Sequence, residues 1–312
     1  MASVDSDFYP GRLGELLNGR YRILRKLGEG AHSSVFLVID EYARGRDKET
    51  TTQYAVYRLP VSCAIVDAPT VHRPSSAYFA VKILTADVTQ RHSAGQTREG
   101  YFLQSIATQS SEIWGLSVLC DHFQIAGSHG PHLCFVMYLL GSSLSDLTRM
   151  APGKALPVYL VRNIIIQLVD AVAQLHSLGV IHTGRHCNAK KFYCSIRDKP
   201  NNMLTLTNLL DIKPGNILIN SINTDEEVAR WLEHNPPRYD GDFELPSRDE
   251  GPDISSLTLD EGKVRNSLLL PQPLPLPLSW DCTPEKAELL SVTLVDFGKG
   301  ECTGNRVRVR IR

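Results

Sequence analysis

The first third of the chain alternates apolar and polar positions at the two-residue period of half-buried strands. Tyr21-Arg22-Ile23-Leu24 and Val35-Phe36-Leu37-Val38-Ile39 predict two strands around the turn Gly28-Glu29-Gly30. Residues 41–53 are charged and Thr-rich, a loop pattern. Two further strand-like runs follow, Tyr54-Ala55-Val56-Tyr57 and Tyr78-Phe79-Ala80-Val81-Lys82-Ile83-Leu84. Residues 96–106 turn helical, and Leu133-Cys134-Phe135-Val136-Met137 reads as a short apolar strand before Gly141.

Residues 157–178 predict the clearest helix. Val161, Ile164, Ile165, Leu168, Val172 and Leu175 fall on one 3.6-residue stripe. Pro157 suits a first turn, and Gly179 suits the left-handed position past the last one. Asn216-Ile217-Leu218-Ile219 predicts another strand. From residue 221 to about 290 the pattern dissolves. Thr224-Asp225-Glu226-Glu227 resembles a capping box opening a short helix through Trp231. Acidic and Pro-rich text follows, ending in Pro271-Gln272-Pro273-Leu274-Pro275-Leu276-Pro277, which favours extended polyproline II. The stretch reads as a spacer. Val292-Thr293-Leu294-Val295 restores a strand directly before Asp296-Phe297-Gly298.

Composition narrows the class without choosing within it. Hydrophobic content of 42% and charged content of 21% over 312 residues is ordinary for a globular protein. The 33 Lys and Arg nearly cancel the 34 Asp and Glu, so no strong field draws the whole chain to nucleic acid or anionic lipid. Neither is expected as a partner. The seven cysteines are scattered, as expected of reduced thiols in an intracellular protein. The start, Met1-Ala2-Ser3-Val4-Asp5-Ser6-Asp7, is too acidic for a signal peptide. No uncharged apolar run approaches the roughly 20 residues of a membrane span. Cytoplasm and nucleus are the expected compartments. His182, His186, Cys187 and Cys194 cluster in sequence but lack the short paired spacing of zinc ligands.

Four pieces carry chemistry. Gly28-x-Gly30-x-x-Ser33-x-Val35 sits in a strand-turn-strand setting where glycines let backbone N–H groups approach phosphate oxygens. Ala80-Val81-Lys82 places one lysine inside an apolar strand, suited to hold the α- and β-phosphates of a nucleotide and to pair with a helix glutamate. Glu99 is the candidate partner, since Phe102, Leu103 and Ile106 put an apolar face beside it; Glu112 competes. Asp211-Ile212-Lys213-Pro214-Gly215-Asn216 has the spacing of a phosphotransfer loop. There the Asp orients a hydroxyl proton, the Lys neutralises the transferring phosphoryl group, and the Asn holds a magnesium ion. Asp296 of Asp296-Phe297-Gly298 would take the other metal contact. The order of these pieces, with a long amphipathic helix before the third, makes a shared phosphate site.

At these residues the chain resembles the eukaryotic protein kinases, and more narrowly the SR-protein-specific (SRPK) family. Leu27-Gly28-Glu29-Gly30-Ala31-His32-Ser33-Ser34-Val35 is similar to that family's glycine loop, where serine also stands at the third glycine. Phe8-Tyr9-Pro10 with Gly14-Glu15-Leu16-Leu17 is similar to its lead-in. His182-Thr183, joined to Asp211, gives its His-Thr-Asp in place of His-Arg-Asp. Thr183 lacks a guanidinium to clamp an activation-loop phosphate, so the resemblance implies activity independent of loop phosphorylation. It implies an α+β, protein-kinase-like fold with a β-rich N-lobe and an incomplete helical C-lobe. Met137 would be the gatekeeper, and the backbone of Tyr138 and Leu140 would meet the adenine. The implied cofactors are ATP and Mg2+, and the implied partner is an Arg-Ser-rich protein substrate phosphorylated on serine. A non-catalytic ATP-binding or interaction module is the alternative.

The resemblance divides the chain into a lead-in (1–20), an N-lobe (21–140) with an insertion at 41–77, and a partial C-lobe (141–220) with an insertion at 184–210. The spacer (221–290) and the Asp-Phe-Gly strand with a basic tail (291–312) complete it. Family-like text resumes in register after each insertion, so the insertions and the tail read as additions to a kinase text that stops after Gly298. Closing the second loop costs only about 3 kcal/mol by the logarithmic rule. Its position beside Asp211 matters more.

Overall fold

The computed structural model describes residues 7–44, 76–97, 99–108, 114–178, 180–181, 212–220, 225–240, 268–297 and 301–302. Strands β1 (Leu16–Leu17), β2 (Tyr21–Glu29), β3 (Ser33–Asp40), β4 (Tyr78–Leu84), β5 (Leu119–Gly127) and β6 (Gly130–Tyr138) form one antiparallel sheet in the order β1-β2-β3-β4-β6-β5. Strand β4 is central. Its two-residue period sends Val81 and Ile83 to one buried face and Ala80, Lys82 and Leu84 to the other. A short helix, α1 (Glu41–Arg44), follows β3.

Two elements were not legible in the hydrophobic pattern. Helix α2 (Ala86–Ser93) is mostly polar, and its start is set by the cap Thr85, whose hydroxyl accepts from Val88 N. Strand β5 is an edge strand with only its first two residues fully buried, so its alternation is weak. Helix α3 (Glu99–Thr108) drives Phe102, Leu103 and Ile106 into a core with Leu84, Leu119 and Phe135.

The second half begins with α4 (Leu144–Met150), opened by a capping box between Ser143 and Asp146. Helix α5 (Val158–Ser177) follows and leads into β7 (Val180–Ile181). A hairpin of β8 (Ile217–Asn220) and β9 (Ser291–Leu294) brings distant segments together, with Ile217 opposite Leu294. Strand β10 (Glu301–Cys302) pairs antiparallel with β7.

The predicted stripe of α5 is corrected in part. Ile164 and Leu175 are buried, and Leu168 and Val172 pack against the core, but Val161 and Ile165 are exposed. Leu160 and Ala171 join the buried side instead. The helix is apolar around most of its circumference, so periodicity alone does not choose the inward arc. By length and composition α5 would also pass for a membrane span. Arg162 and Asp170 interrupt its apolar sequence, and Asn163 and Gln167 bond to the carbonyl of Leu290.

The described parts of residues 221–290 pack closely on the body. Helix α6 (Asp225–His234) is held at its start by Asp225, which accepts from Ser76 Oγ (2.8 Å) and Ala77 N (2.9 Å). At its other end the buried Arg25 of β2 donates to the carbonyls of Leu232 and Asn235. Residues 268–278 then run extended, with Gln272 and Leu274 turned inward. Gln272 N donates to Lys26 O (2.8 Å), and Ser142 Oγ donates to Leu274 O. Helix α7 (Pro284–Glu288), capped by Thr283, lies against α5, where Tyr159 OH donates to Cys282 O.

Candidate active site

The register of the sheet assembles the first part of the site. Lys82 stands opposite Val35 of β3 and Phe135 of β6, and Ala80 stands opposite Met137. Opposed residues share a sheet face, so Val35, Ala80, Lys82 and Met137 line one surface. Met137 is held from the side by Ser117, whose hydroxyl lies 3.3 Å from its sulfur. Tyr138 and Leu140, half-buried, continue the chain towards α4.

The glycine turn overhangs this surface. Leu27, Gly28 and Ser33 are half-buried, while Glu29, Gly30, Ala31 and His32 are exposed. Gly30 N donates to Ser33 O (2.8 Å), closing the turn, and His32 O accepts from Thr85 N. A Cβ added at Gly28 would meet nothing within 4 Å, so the turn is open on that side.

The charged centre is a trio. Lys82 Nζ lies 2.5 Å from Glu99 Oε1 and 3.2 Å from Asp296 Oδ1. Lys82 and Glu99 are 12% and 7% exposed, so the pair is screened little by water. Burial opposes the lysine charge, but the Glu99 and Asp296 carboxylates outweigh it and hold the ammonium above the usual lysine range. Among the described residues Glu99 is the glutamate at Lys82; Glu112 lies outside them.

Asp296 follows β9 with φ at +66°, a left-handed backbone that asparagine and aspartate adopt more readily than other residues with side chains. Its neighbour Phe297 is 1% exposed, packed in the same core as Phe102 and Ile106 of α3. Val295 N donates to Asn216 O (2.9 Å), so the hairpin puts buried Asn216 and Asp296 at one end. Lys213 is exposed at the start of the short 3-10 turn that carries Asn216. Asp211 lies outside the described residues, as do Gly298 and the cluster His182, His186, Cys187 and Cys194.

The donor set suits a hard divalent cation. Asn216 and Asp296 offer one carboxamide and one carboxylate, and Mg2+ commonly binds one or two carboxylates plus water and substrate phosphates. Among the described residues no group of three or more His, Cys, Asp or Glu forms a self-sufficient metal cage.

Sequence reasoning missed the support for this site. Ser117 beside Met137 and Arg25 within the strand that leads into the glycine turn carry no motif, and a buried arginine in a strand looks like a surface residue in sequence.

A six-stranded antiparallel sheet with a lysine–glutamate pair, a left-handed Asp before a buried Phe, and an Asn-bearing hairpin define a protein-kinase-like fold. No family model matches the chain. Curated proteins do. The chain is 30% identical to a serine/threonine-protein kinase SRPK of Physarum polycephalum over 178 residues, covering 56% of this chain and 34% of the relative. It is 27% identical to SRSF protein kinase 3 of Mus musculus, covering 56% and 26%. It is 28% identical to serine/threonine-protein kinase AFC1 of Arabidopsis thaliana, covering 55% and 28%. Over just over half of its length the chain is similar to SRPK-type protein kinases. It spans about a third or less of the length of these relatives.

Proposed function

We propose that this chain carries the nucleotide site of an ATP- and Mg2+-dependent kinase that transfers phosphate to serine in Arg-Ser-rich proteins. The observation that carries the reading is the trio of Lys82, Glu99 and Asp296. In the proposed roles, Lys82 grips the α- and β-phosphates while Glu99 holds the lysine in place. Bound magnesium supplies neutralisation of the phosphate charge, with Asn216 and Asp296 as its protein ligands. Asp211 receives or orients the proton of the serine hydroxyl, and Lys213 offsets charge on the phosphoryl group in transit. Leu27, Val35, Ala80 and Met137 form the apolar walls for the base, and the backbone at Tyr138 and Leu140 reads its edge. The glycine turn covers the phosphates. Work on such substrates would take place in cytoplasm and nucleus.

The test is phosphate transfer from radiolabelled ATP to an Arg-Ser repeat peptide by the purified chain. Transfer that disappears in Lys82→Met and in Asp211→Asn supports the reading. Absence of transfer by the unsubstituted chain, under conditions where Mg-ATP binds, overturns it.

A further inference from the structure

The first turn of α3, which carries Glu99, rests against the ring of His92. His92 lies in the last turn of α2, and α2 is fastened to the sheet by buried Thr89, whose hydroxyl accepts from Leu133 N (2.9 Å). The imidazole meets Phe135 edge-on, with centroids 6.3 Å apart and planes at 77°. Phe135 stands directly across the β4–β6 ladder from Lys82. Both rings abut Gly100: a Cβ there would lie 2.9 Å from His92 Cε1 and 3.3 Å from Phe135 Cε1. The path Lys82, Phe135, His92, Gly100, Glu99 is therefore a closed circuit of packed groups around one ion pair.

The linker between α2 and α3 is tied to the same ring. His92 Nδ1 is 3.1 Å from Thr97 Oγ1, and Gly95, at φ +71°, returns its N–H to His92 O (2.9 Å). Gln96 N donates to Arg91 O. The turn thus delivers α3 at a height set by the imidazole.

We propose that His92 is a positioning residue for the Lys82–Glu99 pair: its ring, packed against Phe135 and Gly100, sets where α3 begins and so where the Glu99 carboxylate stands. This rests on the phosphotransfer reading only for its effect on rate; the positioning itself is a property of the folded chain. Glycine at 100, the second residue of α3, leaves the ring the space that a Cβ would take. Burial holds the imidazole below its ordinary 6.5, with Glu99 of α3 opposing and His122 of β5 assisting; Asp87 and Arg91 on its own helix pair with each other. The neutral ring is the form that suits a seat beside a helix N-terminus, where a cation is disfavoured.

The experiment combines His92→Ala, His92→Gln and Gly100→Ala, alone and together, read by amide hydrogen exchange and by thermal unfolding without nucleotide. In His92→Ala, the amides of α3 should exchange faster while those of the β5–β6 ladder keep their protection. His92→Gln, which retains a hydrogen-bonding group for Thr97, should restore part of the protection. Gly100→Ala should lower the unfolding temperature of the unsubstituted chain and lower it less in the His92→Ala background, where Phe135 is the remaining close neighbour of the added Cβ. With peptide substrate, His92→Ala should lower kcat/KM by about tenfold to a hundredfold, the scale of a misplacement near 1 Å. Equal effects of Gly100→Ala in both backgrounds, or unchanged α3 exchange in His92→Ala and His92→Gln alike, would overturn the proposal. Exchange and unfolding need no catalysis, so a chain that fails to transfer phosphate refutes the phosphotransfer reading and leaves this one decided on its own data.

Discussion

Lys82 Nζ and Glu99 Oε1 meet at 2.5 Å, joining the central strand of the sheet to the first residue of α3. Both are nearly buried, and the lysine keeps its charge through the carboxylates of Glu99 and Asp296. Glu99→Gln should leave the lysine with Asp296 as its remaining charged partner. The expected loss of stability is about 1–3 kcal/mol, the usual cost of leaving a buried polar group poorly matched. Urea unfolding would show it, and Mg-ATP affinity should fall in the same variant.

The left-handed backbone of Asp296 separates two effects of substitution there. Asp296→Asn keeps a side chain that tolerates φ near +66°, whereas Asp296→Ala does not. The alanine variant should be less stable than the asparagine variant by about 1 kcal/mol. Both should lose magnesium-dependent nucleotide binding, so thermal unfolding with and without Mg-ATP distinguishes strain from ligation.

Arg25 clamps the C-terminal end of α6 to the strand that leads into the glycine turn. Arg25→Ala should free α6, and limited proteolysis or amide exchange across residues 225–235 should report faster opening. Arg25→Lys should not rescue it, because a point ammonium cannot fork between the carbonyls of Leu232 and Asn235. Its stability should resemble that of the alanine variant within about 1 kcal/mol.

Acid should weaken the fold through two histidines. Burial lowers the pKa of His176 from its ordinary 6.5 and, assisted by His122 and opposed by Glu99, that of His92. The unfolded chain therefore takes up these protons first as pH falls through 6.5. Stability declines from there and levels off once the folded chain is protonated too. Urea midpoints between pH 7.5 and 5 should fall, and the double variant His92→Gln, His176→Gln should flatten that slope.

Where side-chain chemistry is local, the sequence was enough. Strand β4 was readable from Tyr78 to Leu84 because alternation is a property of the strand itself, and α5 was readable because its 3.6-residue period runs over 20 residues. The spacing from Asp211 to Asn216 and the glycine turn were readable for the same reason, and they led to the kinase class that the relatives support. Which arc of α5 faces inward was not readable, since apolar residues surround it and only neighbours such as Leu290 choose among them. Nor was the packing of residues 268–278 along β2, because Pro-rich text shows extension but not what it lies against.

The sequence by itself pointed to the class of protein and to candidate residues for its chemistry, since those readings rest on short motifs whose spacing is a local fact. Only the tertiary structure decided that Lys82 faces Glu99 and Asp296, that Asn216 and Asp296 share one end of a hairpin, and that His92 and Gly100 meet. Those pairs are separated by tens or hundreds of residues or depend on a sub-ångström seat. Ladder register, helix placement and close packing set such distances, and no local pattern encodes them.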